Sequence, residues 1–466
     1  MELGDLTIIA GRNNTGKTYL AYTLYGFLKM WQAWPGVNRV LHSYDSSIDG
    51  AHSVEAPDFP RISEQLRRDG RASFQIDKDT LKKHRDFLLR TLSHDFSEDG
   101  IPQVFSAPDD HFENASINVI CDEDDTQGMD LSPIDFSLDR EHYLSIDYDA
   151  GQLVLAIGKT RVGASLTASP SLPYDLDQQL SHGYLLFLLL RVLPKPFVLS
   201  AERFGISLFY RELDFTKNQL VDLLQKLGDD RSQRGFSPFL VVDNVTSRYA
   251  LPIKDNIDYT RSISNRRAAE GELWTELSGE IRKMTDGDYR SAGDEIRFRS
   301  RSQRKGHSFN IPLHLASSSV RGLSDLYFFL RYEAKRTDLL IIDEPESHLD
   351  TRNQIELARL LARCVGTGLR VLITTHSDYL LKEINNLVML AQEFDSKDAI
   401  LKKLRYTADD VLDPSSIRAY VAENGGLTEC AIDGFGIDMP VFDKTIDSIN
   451  RVSVELASHV RREPES

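Results

Sequence analysis

Short apolar runs alternate with stretches of helical periodicity along the chain. The apolar runs are rich in β-branched residues, as is typical of buried strands. They lie at 6–10, 142–148, 152–157, 197–200, 339–342 and 371–375. Helical patterns occupy 19–30, 178–192, 274–284, 317–333 and 353–364, and a pair of strands is expected near 295–313. This alternation predicts an α/β fold in which a parallel or mixed sheet is covered by helices on both faces.

The pattern weakens in two places, which suggests insertions into the sheet-containing domain. Residues 40–110 are polar with mixed charges, and residues 211–285 are dominated by charged helical patterns. We therefore expect four segments, namely 1–210 and 291–400 as the two parts of the main domain, 211–290 as a mainly helical inserted lobe, and 401–466 as a small C-terminal subdomain.

The first predicted strand runs directly into a phosphate-loop pattern and then into a helix. The residues of this pattern are Gly11, Arg12, Asn13, Asn14, Thr15, Gly16, Lys17 and Thr18. Glycines let backbone N–H groups approach a phosphate, and the N-terminus of the following helix favours negative charge. Lys17 would reach the β- and γ-phosphates, and the Thr18 hydroxyl would ligate Mg²⁺. A glycine-rich turn with an incidental lysine is the alternative.

Two carboxylates end the most apolar strand, and a histidine ends the next one. Asp343 and Glu344 follow the run 339–342, and His376 follows 371–375. Ligands of open α/β sheets lie beyond the carboxyl ends of the strands, so these side chains are expected to face the phosphate loop. Asp343 would hold Mg²⁺ through water, Glu344 would act as general base, and His376 would contact a γ-phosphate or orient water. The alternative for the acid pair is a cap of the segment that follows.

Composition narrows the class of protein. The chain has 466 residues, 41% of them apolar, with a formal net charge of −16. A chain this acidic is a poor general binder of nucleic acid, although a local basic stripe remains possible. Cys121, Cys364 and Cys430 have no metal-site spacing, and the longest apolar run, 184–190, is too short to cross a bilayer. We expect a soluble, cytoplasmic protein without a membrane partner.

These motifs together resemble the ABC-type ATPases of the SMC, RecF and OLD class. The resemblance is carried by the phosphate loop, by Asp-Glu-Pro-Glu-Ser-His-Leu-Asp at 343–350 and by Thr-Thr-His-Ser at 374–377. It extends through 315–325, which is similar to the serine-rich segment of these proteins. Within the class, the chain is most similar to stand-alone AAA-family ATPases of prokaryotic defence or toxin–antitoxin-like operons, such as those of PARIS and Septu. The resemblance implies a P-loop NTPase of ABC-ATPase head type that binds ATP and Mg²⁺ and hydrolyses ATP.

The resemblance also implies a set of contacts between two heads that sandwich the nucleotides. Ser317, Ser318 and Ser319 would meet the γ-phosphate bound to the other protomer, with Arg321 as a charged helper. Asp350 would be the dimer-contacting aspartate, and His376 the switch histidine. The serine segment departs from the pattern of transporters, because it lacks their paired glycines. Glu202 and Arg203 would replace the Q-loop glutamine, with a surface ion pair as the alternative.

Two further clusters, one acidic and one basic, are candidates for action on nucleic acid. A C-terminal Toprim nuclease is not expected. Asp433, Asp438 and Asp443 form no Asp-x-Asp pair, and the segment that follows His376 and its helix is too short for that domain. The one dense basic run comprises Arg297, Arg299, Arg301, Arg304 and Lys305. Its alternate spacing puts three arginines on one strand face, where they would suit a phosphate backbone or an acidic partner. A solvated hairpin tip is the favoured alternative.

The sequence therefore predicts an ATP-hydrolysing switch that forms a homodimer or higher oligomer through its heads. By resemblance, the partner would be an effector protein such as a nuclease or toxin encoded in a neighbouring gene, in anti-phage defence. The rival hypothesis is a DNA-binding repair ATPase in the RecF or SMC style. The net charge and the absence of a long heptad-patterned arm argue against this rival, whereas the basic run argues for it.

Overall fold

A computed structural model describes residues 1–31, 57–121, 133–138, 142–159, 175–190, 192–209, 249–263, 272–292, 295–301, 309–439 and 450–456. The strands are β1 Leu6–Ala10, β2 Arg71–Gln75, β3 Ile134–Ser137, β4 His142–Asp149, β5 Gln152–Lys159, β6 Pro196–Leu199, β7 Gly287–Ala292, β8 Glu295–Ser300, β9 Asn310–Pro312, β10 Leu339–Asp343, β11 Arg370–Thr375, β12 Ile417–Glu423, β13 Gly426–Glu429, β14 Ile432–Asp433 and β15 Gly436–Ile437. The α-helices are α1 Lys17–Met30, α2 Phe59–Asp69, α3 Lys78–Asp95, α4 Ile101–Phe105, α5 Leu176–Leu189, α6 Leu251–Ser262, α7 Glu272–Met284, α8 Ser318–Tyr332, α9 Thr351–Gly366, α10 Asp378–Met389 and α11 Lys397–Leu404.

The central sheet has the order β13-β12-β1-β11-β10-β6. Strands β12, β1, β11, β10 and β6 are parallel, and β13 is antiparallel at one edge, so the sheet is mixed as predicted. Every residue of β1 and β10 is buried, which explains their unbroken apolar sequences, because helices cover both faces of such sheets. The strand ends are level: Ala10 lies beside Thr375, and Thr374 lies beside Asp343. The loops after β1, β10 and β11 therefore open at one edge of the sheet.

The chain divides into two compact units, and the first carries the central sheet. This unit comprises Met1–Tyr25 with Pro196–Ser466. Its core also contains residues of α6, α7 and the three-stranded sheet β7-β8-β9, including Ile263, Ile281 and Tyr289. Asn256 of α6 binds the end of β6 directly: its side chain accepts from Ser200 N at 2.7 Å and donates to Val198 O at 2.6 Å.

The second unit, Gly26–Lys195, is built around a four-stranded antiparallel sheet. The strand order is β2-β5-β4-β3, and Leu144, Ile146, Leu153 and Leu155 of β4 and β5 are at most 1% exposed. Helices α2, α3 and α5 supply apolar side chains, and His84 of α3 lies 2.6 Å from the Tyr184 hydroxyl of α5. The prediction that 40–110 lacks strong elements is wrong for α2, β2 and α3. The apolar stripe of α2 is narrow among many charges, so its sequence reads as polar.

The compact units do not coincide with the predicted segments. Part of the predicted lobe, 211–248, lies outside the described residues, whereas α6 and α7 contribute to the core of the first unit. Strand β12 from the predicted C-terminal subdomain pairs with β1 in the central sheet. Helical periodicity reveals that a face is buried but not against which core it packs, which is why the sequence suggested a separate lobe.

Candidate active site at the carboxyl edge of the sheet

The phosphate loop joins β1 to α1 and needs its two glycines for different reasons. Gly11 has a φ of +153°, and a Cβ there would lie 2.5 Å from the Ala422 carbonyl of β12. Gly16 has a φ of +88° with open space around it, so its backbone conformation rather than crowding favours glycine. Asn14 also adopts a positive φ, 64°, and Thr15 Oγ1 donates to Arg12 O at 2.9 Å. Asn13 is exposed beside them.

Lys17 is buried inside this loop, with only 5% of its surface exposed. Its Nζ donates to Gly11 O at 3.0 Å and to Arg12 O at 2.8 Å. Burial lowers the pKa of Lys17, while the carboxylates of Glu344, Asp343 and Glu346 act in the opposite direction. A buried ammonium is stable only beside compensating negative charge, so this position is suited to an anionic ligand.

Asp343 lies at the end of β10 and is 1% exposed. Both of its carboxylate oxygens accept from the Thr18 hydroxyl, at 3.2 and 3.0 Å, and the Thr374 hydroxyl donates to Oδ1. Burial raises the pKa of Asp343, and the nearby carboxylates of Glu344 and Glu202 raise it further. A carboxylate and a hydroxyl are the hard oxygen ligands that Mg²⁺ prefers, so this pair fits the predicted ion. Among the described residues, no group of three or more His, Cys, Asp or Glu is arranged to hold a metal.

Glu344 follows Asp343 in an uncommon backbone conformation, with a φ of 49°. Its N–H donates to both the carbonyl and the hydroxyl oxygen of Thr374, each at 3.1 Å. The side chain is 30% exposed, and Oε2 accepts from the Ser347 hydroxyl at 3.0 Å. Non-glycine residues with positive φ persist where their surroundings fix them, and they concentrate at functional sites.

A third acid, Glu346, was missed from the sequence and lies beneath His376. Glu346 is buried, and its Oε1 accepts from the Thr375 hydroxyl at 2.9 Å and from the His376 N–H at 2.8 Å. The ring nitrogen Nδ1 of His376 lies 3.3 Å from Glu346 Oε1 and 3.8 Å from Glu344 Oε1. The half-exposed His376 thus stands between two carboxylates. Glu346 lies in the acidic motif, two residues after Glu344, and this position was the sequence signal that could have identified it.

The serine segment forms the start of α8, near the loop that follows Glu344. Ser317 caps the helix by accepting from Val320 N at 3.4 Å, Ser318 is half-buried, and Ser319 Oγ donates to His348 O at 2.9 Å. The guanidinium of Arg321 donates to His314 O and Ala316 O at 3.1 and 2.5 Å, so it also folds its own segment.

Asp350 caps α9, and Glu202 lies near the cation ligands. Asp350 is exposed and accepts from Asn353 N and Nδ2, both at 3.0 Å. Glu202 is exposed and accepts from the Tyr22 hydroxyl at 3.1 Å. Its carboxylate contributes to raising the pKa of Asp343.

Arg203 requires a correction. It is 4% exposed, so a surface ion pair is wrong, and its N–H groups all donate to backbone carbonyls. An arginine side chain has five such donors, which leaves this one without a donor for a nucleotide. A Q-loop role for Arg203 is therefore not supported, and the same role for Glu202 stays a prediction.

The basic run is partly neutralised by neighbouring acids. Arg297 and Arg299 lie on one face of β8, as the alternation predicts, but Arg297 forms an ion pair with Glu295 at 2.6 Å. Arg301 pairs with Asp288 at 3.1 Å, and Arg299 is exposed. Arg304 and Lys305 lie outside the described residues. Of the C-terminal acids, Asp433 lies in the β14–β15 hairpin and Asp438 follows it, and Asp443 lies outside the described residues.

One family model matches a part of the first unit. Residues 209–382 match a family described as "AAA domain, putative AbiEii toxin, Type IV TA system". No curated protein matches the chain. The part of the chain that the structure describes contains no helix long and apolar enough to cross a membrane.

The solved structures that are similar to this chain include SMC head domains. The SMC head domain from Thermotoga maritima is 16% identical with a TM-score of 0.23, and the match covers 42% of this chain and 61% of that one. The Smc head domain from Pyrococcus furiosus, bound to the C-terminal domain of ScpA, is 12% identical over 97% of this chain and 93% of its own, with a TM-score of 0.29. An SmcHead bound to the C-winged helix domain of ScpA is 11% identical over 93% and 92%, with a TM-score of 0.32.

TM-scores of this size do not by themselves establish a common fold. The fold assignment rests instead on the mixed sheet with its parallel core, the phosphate loop between β1 and α1, and the acids and histidine that end β10 and β11. The chain has the α/β fold of a P-loop ATPase of the ABC-head type.

Proposed function

We propose that this protein binds Mg-ATP at the carboxyl edge of its central sheet and hydrolyses it to ADP and phosphate. The observation that carries the proposal is the convergence of Lys17, Thr18, Asp343, Glu344 and His376, which come from three separate loops. Buried groups of opposite charge that share one edge are costly for a fold to maintain, which supports a ligand-binding role.

Each side chain has a distinct part in the proposed reaction. Lys17 neutralises the phosphates, and Thr18 with Asp343 holds Mg²⁺, which supplies charge neutralisation to the phosphate oxygens. Glu344 accepts a proton from the attacking water. The water oxygen bonds to the γ-phosphorus, and the bond between the γ-phosphorus and the β–γ bridging oxygen breaks. His376 lies close enough to Glu344 to orient this base or the γ-phosphate.

Hydrolysis is proposed to require two heads. Ser317 and Ser318 lie at the N-terminus of α8, where backbone N–H groups and the helix dipole attract anions. By the resemblance to SMC- and RecF-like ATPases, this end of α8 would contact the γ-phosphate held by a second copy, with Asp350 at the same interface. ATP would then act as a bridge between protomers, and hydrolysis would release them.

The biological output is proposed to be control of a partner protein. The resemblance to ATPases of defence operons suggests an effector such as a nuclease or toxin that is held or released according to nucleotide state. Among the described residues, no group of three or more His, Cys, Asp or Glu is arranged as the metal site that a metal-dependent nuclease would need. The pairing of Arg297 and Arg301 with neighbouring acids weakens the rival hypothesis of a DNA-binding repair ATPase.

The test is to separate nucleotide binding from turnover in the full-length protein. Glu344→Gln should bind Mg-ATP like the wild type but hydrolyse it at least about a hundredfold more slowly, because an amide cannot accept the proton. Ser318→Arg should also keep binding but lose hydrolysis, since the new side chain blocks the second head. Ser291→Arg, on an exposed position of β7, is the matched control. Wild-type turnover by Glu344→Gln would contradict the proposed base.

A further inference from the structure

Arg203 connects the catalytic loop to the serine-bearing helix. Its Nη1 donates to Ser200 O at 3.0 Å and Asp343 O at 2.8 Å, Nη2 donates to Glu344 O at 2.9 Å and Pro345 O at 3.4 Å, and Nε donates to Gly322 O at 3.2 Å. Gly322 belongs to the early part of α8, which begins at the serine segment. One buried side chain therefore binds the backbone of both α8 and the segment that carries Glu344.

The neighbouring residue makes the same connection with its ring. Phe204 packs against the His348 ring, with centroids 4.1 Å apart, and the Arg321 guanidinium lies 4.5 Å above the Phe204 ring. His348 belongs to the loop that follows Glu344, and Arg321 belongs to α8. We refer to Arg203 and Phe204 together as the wedge. Both residues of the wedge contact α8 and the 343–348 loop.

The wedge bears on the conformation of Glu344. The Glu344 N–H is held by Thr374, and its carbonyl is held by Arg203, so the peptide groups on both sides are fixed. A non-glycine residue with positive φ is strained and persists only when its surroundings determine it. The side chain of the proposed base is thus aimed by contacts that include the wedge.

We propose that the wedge is a positioning element, which couples the arrival of a second head at the serine segment to the alignment of Glu344. A contact that shifts the start of α8 moves Gly322 and Arg321, and the wedge transmits that movement to the carbonyls of 343–345. The inference rests on the proposed function, because it presumes that Glu344 is the base and that heads pair at α8. It assigns to Arg203 a role between two segments rather than at the nucleotide.

The test compares Arg203→Lys and Phe204→Leu with wild type in the full-length protein. Lysine keeps the charge but cannot reproduce the planar fork, and leucine keeps apolar volume but removes the ring contacts. Phe209→Leu is the matched control, because Phe209 lies on the same short helix and is 54% exposed. Mg-ATP affinity, solution mass with Mg-ATP, and hydrolysis rate against protein concentration are measured for each variant.

Both wedge variants should bind Mg-ATP within about threefold of wild type and still assemble. Their hydrolysis should fall by about tenfold for Arg203→Lys and about threefold for Phe204→Leu, and it should rise less steeply with protein concentration, because the base is no longer aligned on pairing. If Arg203→Lys does not fold, Phe204→Leu still tests the proposal.

Two results would overturn the inference alone: hydrolysis by Phe204→Leu that rises with concentration as in Phe209→Leu, or a wedge variant that loses ATP affinity with turnover unchanged. A wild-type protein that does not hydrolyse ATP would overturn both the wedge and the proposed function.

Discussion

Two regions of the first unit carry dense charge, and they differ in how far the charged side chains are exposed to solvent. At the carboxyl edge of the central sheet, Lys17 is 5% exposed and Asp343 is 1% exposed. On the β7-β8-β9 sheet, the side chain of Arg301 is 47% exposed, and Arg297 pairs with Glu295 of its own strand. The first region removes its charges from water, whereas the second leaves Arg299 and Arg301 exposed to solvent.

This difference indicates where function is expected. Burying an ionised group costs several kcal/mol unless partners compensate, whereas exposed ion pairs contribute about 0–1 kcal/mol. A buried cluster of mixed charge is thus maintained at the expense of stability, and such clusters are frequent at active sites. The exposed arginines need no function to explain them. The predictions below test whether sensitivity to substitution follows this division.

The largest effect is expected at Lys17. Lys17→Ala should weaken Mg-ATP binding by at least about a hundredfold, because it removes the buried positive charge that faces the phosphates. Binding of a fluorescent ATP analogue measures the change. The control is Lys382→Ala on the exposed side of α10, which should bind like the wild type. Equal affinities in the two variants would break the distinction between buried and exposed charge.

The next effect concerns a buried acid outside the nucleotide contacts. Burial raises the pKa of Asp325 from its ordinary value of 3.8 to about 7, although Ser324, Thr260 and Arg203 oppose this rise. Between these values the folded state holds a proton that the unfolded state has released, so the free energy of unfolding falls as pH increases. Asp325→Asn lacks this titration. When the pH increases from 5 to 8, the unfolding free energy of this variant minus that of wild type should therefore increase by at least about 2 kcal/mol.

Urea unfolding at the two pH values measures this gain. Asp258→Asn serves as the control, because Asp258 is 54% exposed and pairs with Arg261 at the surface. Its unfolding free energy should follow that of the wild type at both pH values. The same pH dependence in Asp325→Asn and in wild type would show that Asp325 is charged in the folded protein.

A smaller effect is expected at Glu346. Glu346→Gln keeps an oxygen for the Thr375 and His376 donors but removes the charge that faces the His376 ring. Turnover should fall by about tenfold with Mg-ATP affinity unchanged, because the histidine is less firmly oriented. Steady-state hydrolysis tests this, with Glu356→Gln on the exposed side of α9 as control. Turnover within about twofold of wild type would limit Glu346 to a structural role.

The smallest effect is expected on β8. Arg299→Ala should change ATP hydrolysis by less than about twofold and stability by less than about 0.5 kcal/mol, as for most exposed substitutions. Binding of duplex DNA at low and high salt should show no difference between this variant and wild type. Salt-sensitive binding that is lost in Arg299→Ala would favour the rival DNA-binding function.

The parts of the fold and site that the sequence predicts well are those encoded by neighbouring residues. The strands β1, β10 and β11 are short apolar runs, and each is followed at once by a polar motif. Because parallel strands end at one edge, the approach of Lys17, Asp343 and His376 follows from sequence order alone. The structure places these side chains there, although their catalytic roles stay predictions.

The parts that could not be predicted depend on contacts between distant residues. Four of the five carbonyls that accept from Arg203 lie 119 to 142 residues further along the chain, and backbone carbonyls carry no sequence signal. Likewise, α6 shows helical periodicity, but only the structure shows that Asn256 fastens it to β6. Within the antiparallel unit Gly26–Lys195, the sequence predicts β4, β5 and α5, whereas α2, β2 and α3 were missed because their sequences are rich in charge.

The central claim is that ATP joins two heads so that the serine segment of one completes the site of the other. The most direct test is the solution mass of Glu344→Gln by light scattering, with and without Mg-ATP. The mass should increase with Mg-ATP, and the increase should disappear when Ser318→Arg is added but persist with Ser291→Arg. A mass that is the same with and without Mg-ATP, at a concentration that saturates binding, would contradict the claim.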